Sequence, residues 1–398
     1  MKIHTVRGGE SVYSVASEYG VSPEIVKWAN GIESGHALAA GYRIIVPTPT
    51  RTYSVRRGDT LESIGRRFGI STQSLLAKNP SLYGRTSVYE GQSLAIGYAS
   101  KDYGMCAANG YFYRGCTRER LNRFMPYMTF ITVCSAHLNG GSLGFLFDDT
   151  EVREAARECS RAAYLRVYMR ECDLPRGVRC AEVASDIAIV AKSRGFFGVV
   201  LGGESPRSES ASDYGAFVLA LRKKCIECDL SLLCECDAEG NTERADIADG
   251  AVLFYDKLAK KKIPSFNGGE RVAFTRFAEK YDAPRSFIDL SAFGYCRDKY
   301  IPKEDILRSR ERARAEVCFD PDTLLESTTS SRGAVTLCES IDATKAKLSL
   351  VFELGFFGIT FDIARTPVRE LFLFENMFGT GAVKVIGSLS CHSPSGLI

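Results

Sequence analysis

Histidine is scarce in this chain, and so is any excess of charge. Four histidines, His4, His36, His137 and His392, in 398 residues leave imidazole-based metal or triad chemistry poorly supplied. The formal net charge of +3 is too small to argue for a nucleic-acid partner. No window reaches the roughly 18 consecutive apolar residues of a membrane span, so no membrane partner is expected. The opening MKIHTVRGGE has no apolar core of a secretory signal. The protein is therefore expected to be made in a cytoplasm and to leave it, where it leaves, by another route. With 45% hydrophobic and 25% charged residues, the chain has the composition of a globular protein with room for one large domain and something smaller.

Cysteine, by contrast, is abundant, with fourteen residues. Most are single thiols inside apolar runs, such as Cys134 in FITVCSA and Cys159 in AARECSRAA, the habit of a buried structural thiol. The exception, KKCIECDLSLLCEC, gathers Cys225, Cys228, Cys234 and Cys236. Its second pair is a CxC inside an expected strand with no flanking loop, so no metal site is assigned and no cofactor is expected. Oxidative cross-linking between molecules stays open as a role for the thiols.

An internal repeat opens the chain. HTVRGGESVYSVASEYGVSPEIVKWANG, from His4, aligns with YSVRRGDTLESIGRRFGISTQSLLAKNP, from Tyr53, at a spacing of 49 residues. In each copy a short strand ends at a glycine and an acid, Gly9 and Glu10 or Gly58 and Asp59, and Ser11 or Thr60 follows as a helix N-cap. Val12, Val15, Ala16 and Tyr19, then Leu61, Ile64 and Phe68, recur at helical spacing. Gly20 and Gly69 stop the helices. A second helix and a closing strand, YRIIVP or QSLAIG, complete a strand–helix–helix–strand unit.

These signatures, V-R-x-G-[ED]-[ST], then G-[VI]-S, then Asn30 or Asn79, resemble the LysM domain over nearly the full length of both copies. The resemblance implies binding of glycans containing N-acetylglucosamine, such as peptidoglycan or chitin. It places the groove at Gly9, Glu10, Ser11, Val12, Asn30 and Gly31 in the first copy. In the second it implies Gly58, Asp59, Thr60, Leu61, Asn79 and Pro80. Taken singly, these residues read equally as caps and turns. The second copy is also basic: Arg51, Arg56, Arg57, Arg66, Arg67, Lys78 and Arg85 outnumber Asp59, Glu62 and Glu90 by four charges, which would attract anionic wall polymers. A solvated helix surface explains the same charges.

The expected domains are 1–48 and 51–97 for the repeats, a linker at 98–105 in GYASKDYGMCA, and one large domain at 106–398. In that last part eight strand-like runs alternate with amphipathic helices. They lie at 109–113, 129–136, 162–169, 196–204, 230–236, 250–256, 286–294 and 356–363, and together predict an α/β fold, a (β/α)8 barrel. Chemistry in such a barrel sits at the C-terminal strand ends, which gathers Glu204, Tyr255, Asp256 and Asp362 at one mouth.

NGYFY, GFFGVVLGGE, AVLFYD and AFGYC, followed by CFDPD and SIDATKAKLSLVFELGFFGIT, resemble glycoside hydrolase family 18. Within it they are most similar to the spore cortex-lytic N-acetylglucosaminidases of endospore-forming bacteria. The resemblance implies substrate-assisted hydrolysis of β-1,4 bonds, outside the two-carboxylate scheme, with Glu204 as the acid and Tyr255 and Asp256 holding the acetamide. It also exposes departures. Gly202 stands where the family carries the aspartate that orients the acetamide, Val200 where it carries the next carboxylate or amide inward, and Asp362 meets the tryptophan floor. Loss of one such preorganised group lowers the rate roughly 10²- to 10³-fold.

Three functions follow as expectations. The first is a wall or spore-surface protein that binds N-acetylglucosamine polymers while its barrel hydrolyses weakly or not at all. A second is a surviving glycosidase in which Asp256, Asp362 or Glu235 assists Glu204. The third is a structural coat protein joined to its neighbours by disulfides.

Overall fold

Each N-terminal repeat is delimited by its caps. In the computed structural model, which describes residues 1–32, 38–82, 87–98, 103–104, 106–204, 208–236, 247–254, 271–297, 299–313 and 315–378, Ser11 and Ser14 cap the helix Val12–Tyr19 reciprocally. The Ser14 N–H donates to Ser11 Oγ at 3.2 Å, and the Ser11 N–H to Ser14 Oγ at 2.9 Å. Thr60 and Ser63 do the same for Leu61–Phe68. Both helices end on glycines in the left-handed region, Gly20 at φ 64° and Gly69 at φ 69°. The second helices, Pro23–Asn30 and Thr72–Lys78, lead back to closing strands. Lys2–Thr5 pairs antiparallel with Arg43–Val46, and Pro49–Ser54 with Ser93–Tyr98.

The large domain is a closed barrel of eight parallel strands, numbered here β1 (Ala107–Phe112), β2 (Phe130–Asn139), β3 (Ala162–Met169), β4 (Gly198–Gly203), β5 (Ser231–Cys236), β6 (Gly250–Leu253), β7 (Phe287–Asp289) and β8 (Gly358–Asp362). Each pairs with the next, and β8 with β1 closes the ring. All eight runs expected from the sequence are present. Strand alternation sends Phe130, Tyr164, Val200, Leu233, Val252 and Phe287 into one interior cluster. Leu165, Leu201, Leu232, Leu253 and Ile288 join the larger core that includes the surrounding helices.

One expected strand is divided. The run 286–294 supplies β7 and then, after Ser291, the strand Phe293–Cys296, which belongs to a separate five-stranded antiparallel sheet. That sheet also contains Lys299–Pro302, Val317–Asp320, Leu325–Thr329 and Val335–Glu339. Gly294 sits where a Cβ would lie 2.4 Å from Ile306 and 2.5 Å from the Leu337 carbonyl. Its lack of a side chain is what lets helix Lys303–Ala313 pack over the sheet.

The repeats are docked on the barrel. Helix Val368–Met377 is buried along its length between them. Arg369 donates to Tyr42 Oη at 3.0 Å, Glu375 accepts from Lys78 at 2.9 Å and from Ser74 at 3.0 Å, and Tyr98 packs edge-on to Phe372. Among the described residues no helix is long and apolar enough to cross a membrane.

Candidate functional site

The GFFGVVLGGE segment carries β4 to the barrel mouth and delivers Glu204 to the surface just beyond it. The Glu204 N–H donates to the Met169 carbonyl at 3.0 Å, and its carboxylate accepts from the Glu171 N–H at 3.2 Å. The acid is therefore exposed and tied to the end of β3.

The two preceding glycines have separate causes. A Cβ on Gly203, at φ 129°, would fall 2.0 Å from the Met169 carbonyl oxygen, so backbone proximity requires glycine there. A Cβ on Gly202 would fall 2.2 Å from one Glu235 carboxylate oxygen and 2.7 Å from the other. The neighbouring strand thus occupies the space a side chain at 202 would need.

Glu235, on β5, does not present a free carboxylate. Arg166 on β3 grips it with two parallel bonds, Nε to Oε1 at 2.6 Å and Nη2 to Oε2 at 2.8 Å. Both side chains are buried. A bidentate pair of this kind is held firmly in position, and breaking one partner of a buried pair typically costs about 3–5 kcal/mol. Glu235, weighed from the sequence as a carboxylate that assists Glu204, is thus neutralised by Arg166. Arg166 itself was missed, although an arginine in the middle of the apolar strand AAYLRVYM is a signal for a buried acidic partner.

Asp362 closes β8. Its Oδ1 accepts from the Ala364 N–H at 2.7 Å and its Oδ2 from Arg365 at 2.5 Å. Burial pushes the Asp362 carboxyl above the ordinary range, and Arg365 offsets this only in part. The Arg365 guanidinium lies 5.5 Å from the Tyr113 ring centre and 5.2 Å from that of Phe293. Tyr113, whose phenol burial pushes well up, and Tyr111, whose hydroxyl has no partner among the described residues, line the same interior. Tyr255 and Asp256 lie outside the described residues.

In the repeats, Val12 and Leu61 are buried under their helices, and Ser11 and Thr60 serve as the caps described above. Asn30 and Asn79 turn inward. The Asn30 amide donates to the Val26 and Ile45 carbonyls and accepts from the Ile45 N–H. Asn79 repeats the pattern with Leu75 and Ala95. Gly9, Gly31 and Gly58 take positive φ at turns or caps. Burial raises the Glu10 carboxyl, but the Arg7 N–H and His4 together hold it below the usual range. The Tyr53 hydroxyl, then the Arg56 N–H, hold Asp59 low. Pro80 begins a short helical turn, Pro80–Leu82, facing the first repeat.

Residues 4–47 and 53–97 match the LysM domain family. Both repeats are LysM domains. LysM domains bind peptidoglycan or N-acetylglucosamine polymers. In three dimensions the chain is similar to the Bacillus megaterium QM B1551 spore cortex-lytic enzyme SleL, with a TM-score of 0.71 over 94% of this chain and 97% of that one, at 17% identity. Its barrel is also similar to a chitinase from Chromobacterium violaceum, with a TM-score of 0.57 over 68% of this chain and 98% of that one, at 15% identity. At such identities the likeness is one of fold.

Among curated sequences, the N-acetylmuramoyl-L-alanine amidase sle1 of Staphylococcus epidermidis is 27% identical over 27% of this chain. The cortical fragment-lytic enzyme of Bacillus anthracis is 41% identical over 14% of it. The chain covers 35% and 13% of those two relatives' lengths.

The thirteen described cysteines are not in disulfides, and of these only Cys172 and Cys318 are exposed. Cys234 and Cys236 are buried on β5, and Cys225 is buried on the preceding helix, Ala211–Glu227.

Proposed function

We propose that this protein holds N-acetylglucosamine polymers of a bacterial wall or spore cortex through its LysM domains, and that its barrel is a retained scaffold that does not cleave them. The observation that carries the reading is the absence of any side chain at Gly202, with the adjoining space filled by the Arg166–Glu235 pair. In substrate-assisted hydrolysis the sugar's acetamide oxygen attacks the anomeric carbon, and a carboxylate beside the acid orients that acetamide and offsets the charge it develops. Gly202 offers no such group. Glu235 is the nearest carboxylate, and Arg166 cancels the charge it would contribute.

The rest of the mouth supports the same reading. Asp362 stands where an aromatic floor is expected, and Arg365 lies against the rings of Tyr113 and Phe293. A second reading, slow hydrolysis, draws on one observation: the raised Asp362 carboxyl could serve as a proton donor near the mouth.

The spore or wall surface is the proposed location, with coat neighbours as proposed partners. Among the described thiols, Cys172 and Cys318 are the exposed ones and the first candidates for intermolecular disulfides, with the half-buried Cys116, Cys159, Cys228 and Cys296 next. The test is reducing-sugar release from purified spore cortex by the wild type and by Glu204→Gln. Equal, background release from both supports the scaffold; release by the wild type alone establishes Glu204 as a working acid and defeats the proposal.

A further inference from the structure

Of the four leucines and isoleucines that are exposed among the described residues, three lie on the two neighbouring helices that follow β3 and β4. Ile189 is on Arg179–Ser193, and Leu219 and Ile226 are on Ala211–Glu227. They keep 56%, 50% and 62% of their surface open to solvent.

Ion pairs at both ends fix the relative height of these helices, which pack side by side and run parallel. Arg176, just before the first helix, meets Asp213 at 3.0 Å, and Lys192 near its end meets Asp229 at 3.9 Å. Both pairs join residues thirty-seven positions apart, so a residue on the first helix stands level with the residue thirty-seven places later on the second. Ile189 is therefore level with Ile226. One turn earlier, Asp186 is level with Lys223; both are exposed and neither takes part in the two ion pairs. Leu219 lies two turns before Ile226 on the same face of its helix. The three apolar side chains thus form one patch instead of scattered single exposures. Ala216 and Ala220 flank Leu219 on the open side, and small side chains there let another helix approach closely.

We propose that this face binds a second copy of the chain about a two-fold axis. An axis parallel to both helices and midway between them exchanges their places. It lays the first helix of one copy over the second helix of the other, in the same direction and at the same height. Ile189 then meets Ile226 of the partner subunit, and Asp186 meets Lys223 of the partner subunit, each contact being made twice. This self-complementarity selects the occupant: a different protein would not require apolar beside apolar, and acid beside base, at equal heights on the two helices.

The inference is independent of the wall-glycan reading and adds to it. A pair carries four LysM domains, two from each chain, and simultaneous engagement raises retention on a polymer without any new contact.

The test is sedimentation velocity of the full-length protein with a thiol reductant present, from about 1 to about 100 µM. A reversible monomer–dimer equilibrium is expected. Ile226→Gln, which leaves the charge unchanged, should weaken it about 10-fold. Asp186→Lys and Lys223→Asp should each weaken it by a similar factor, because each sets like charges together twice across the axis. An equimolar mixture of those two variants should pair again, since every facing charge is then opposite. All three side chains are exposed, and thermal melts matching the wild type confirm that the variants fold. A monomer at every concentration overturns the inference, as does a dimer that Ile226→Gln leaves unchanged. A mixture that pairs no better than its two components overturns the two-fold arrangement.

Discussion

Introducing an aspartate at position 202 has a structural cost that can be quantified. Gly202→Asp places a Cβ 2.2 Å from a Glu235 carboxylate oxygen, where no real Cβ contact is tolerated. Overpacking of this kind costs about 1–3 kcal/mol, and a second carboxylate against the first adds repulsion. Glu235→Ala alone strips Arg166 of both bonds and leaves a buried guanidinium unpaired, a loss of about 3–5 kcal/mol. Independent effects would sum to about 4–8 kcal/mol. In the double variant the new carboxylate has room, and Arg166 regains an acidic partner, so most of both penalties should vanish. The total loss expected is about 1–3 kcal/mol, a favourable coupling of about 3 kcal/mol or more. Urea unfolding of the four proteins, compared at constant m-value, measures it. Additive losses would refute the idea that Glu235 and Arg166 fill the place of a side chain at 202.

Asn30→Ala leaves the Ile45 N–H and two carbonyls without their partner, and a loss of about 2–4 kcal/mol is expected; a thermal-melt cost below about 1 kcal/mol would show that the amide is not a structural clamp. Asp362 is raised in the folded state by burial, so the native protein binds more protons than the unfolded chain above the ordinary carboxylate value of about 3.9. Its contribution to stability therefore falls as pH rises from there through the raised value, and Asp362→Asn should flatten that part of the pH–stability curve; an unchanged slope would contradict the assignment. Under native conditions a thiol reagent should modify Cys172 and Cys318 first among the described cysteines. Cys106 and Cys225, whose thiols burial pushes up to about 12, should react only on unfolding; peptide mapping by mass spectrometry tests this order.

The parts of the fold that were legible in the sequence are those with strong local signals. Ser11 and Thr60 fixed the helix starts, Gly20 and Gly69 their ends, and the eight apolar runs identified the barrel strands because parallel strands are buried on both faces. The five-stranded sheet was not legible. Its strands, such as VCFD, LESTT and VTLCE, are four or five residues long and mostly half-exposed, and the first of the sheet's strands follows β7 with no breaker strong enough to separate them.

At the mouth, Glu204, Gly202 and Asp362 could be placed by strand parity. What joins across the barrel could not, since Arg166 and Glu235 are 69 residues apart in sequence and meet only when β3, β4 and β5 lie side by side. The inward turn of Asn30 and Asn79 was equally hidden. A residue near a helix end reads as a surface group until its partner strand is in place.

The central claim is that the molecule retains glycan without cutting it. One incubation with purified spore cortex, followed by sedimentation, tests both halves: protein is assayed in the pellet and new reducing ends in the supernatant. The account predicts protein in the pellet and no reducing ends above a protein-free control. Reducing ends that grow with time and with protein concentration would contradict it.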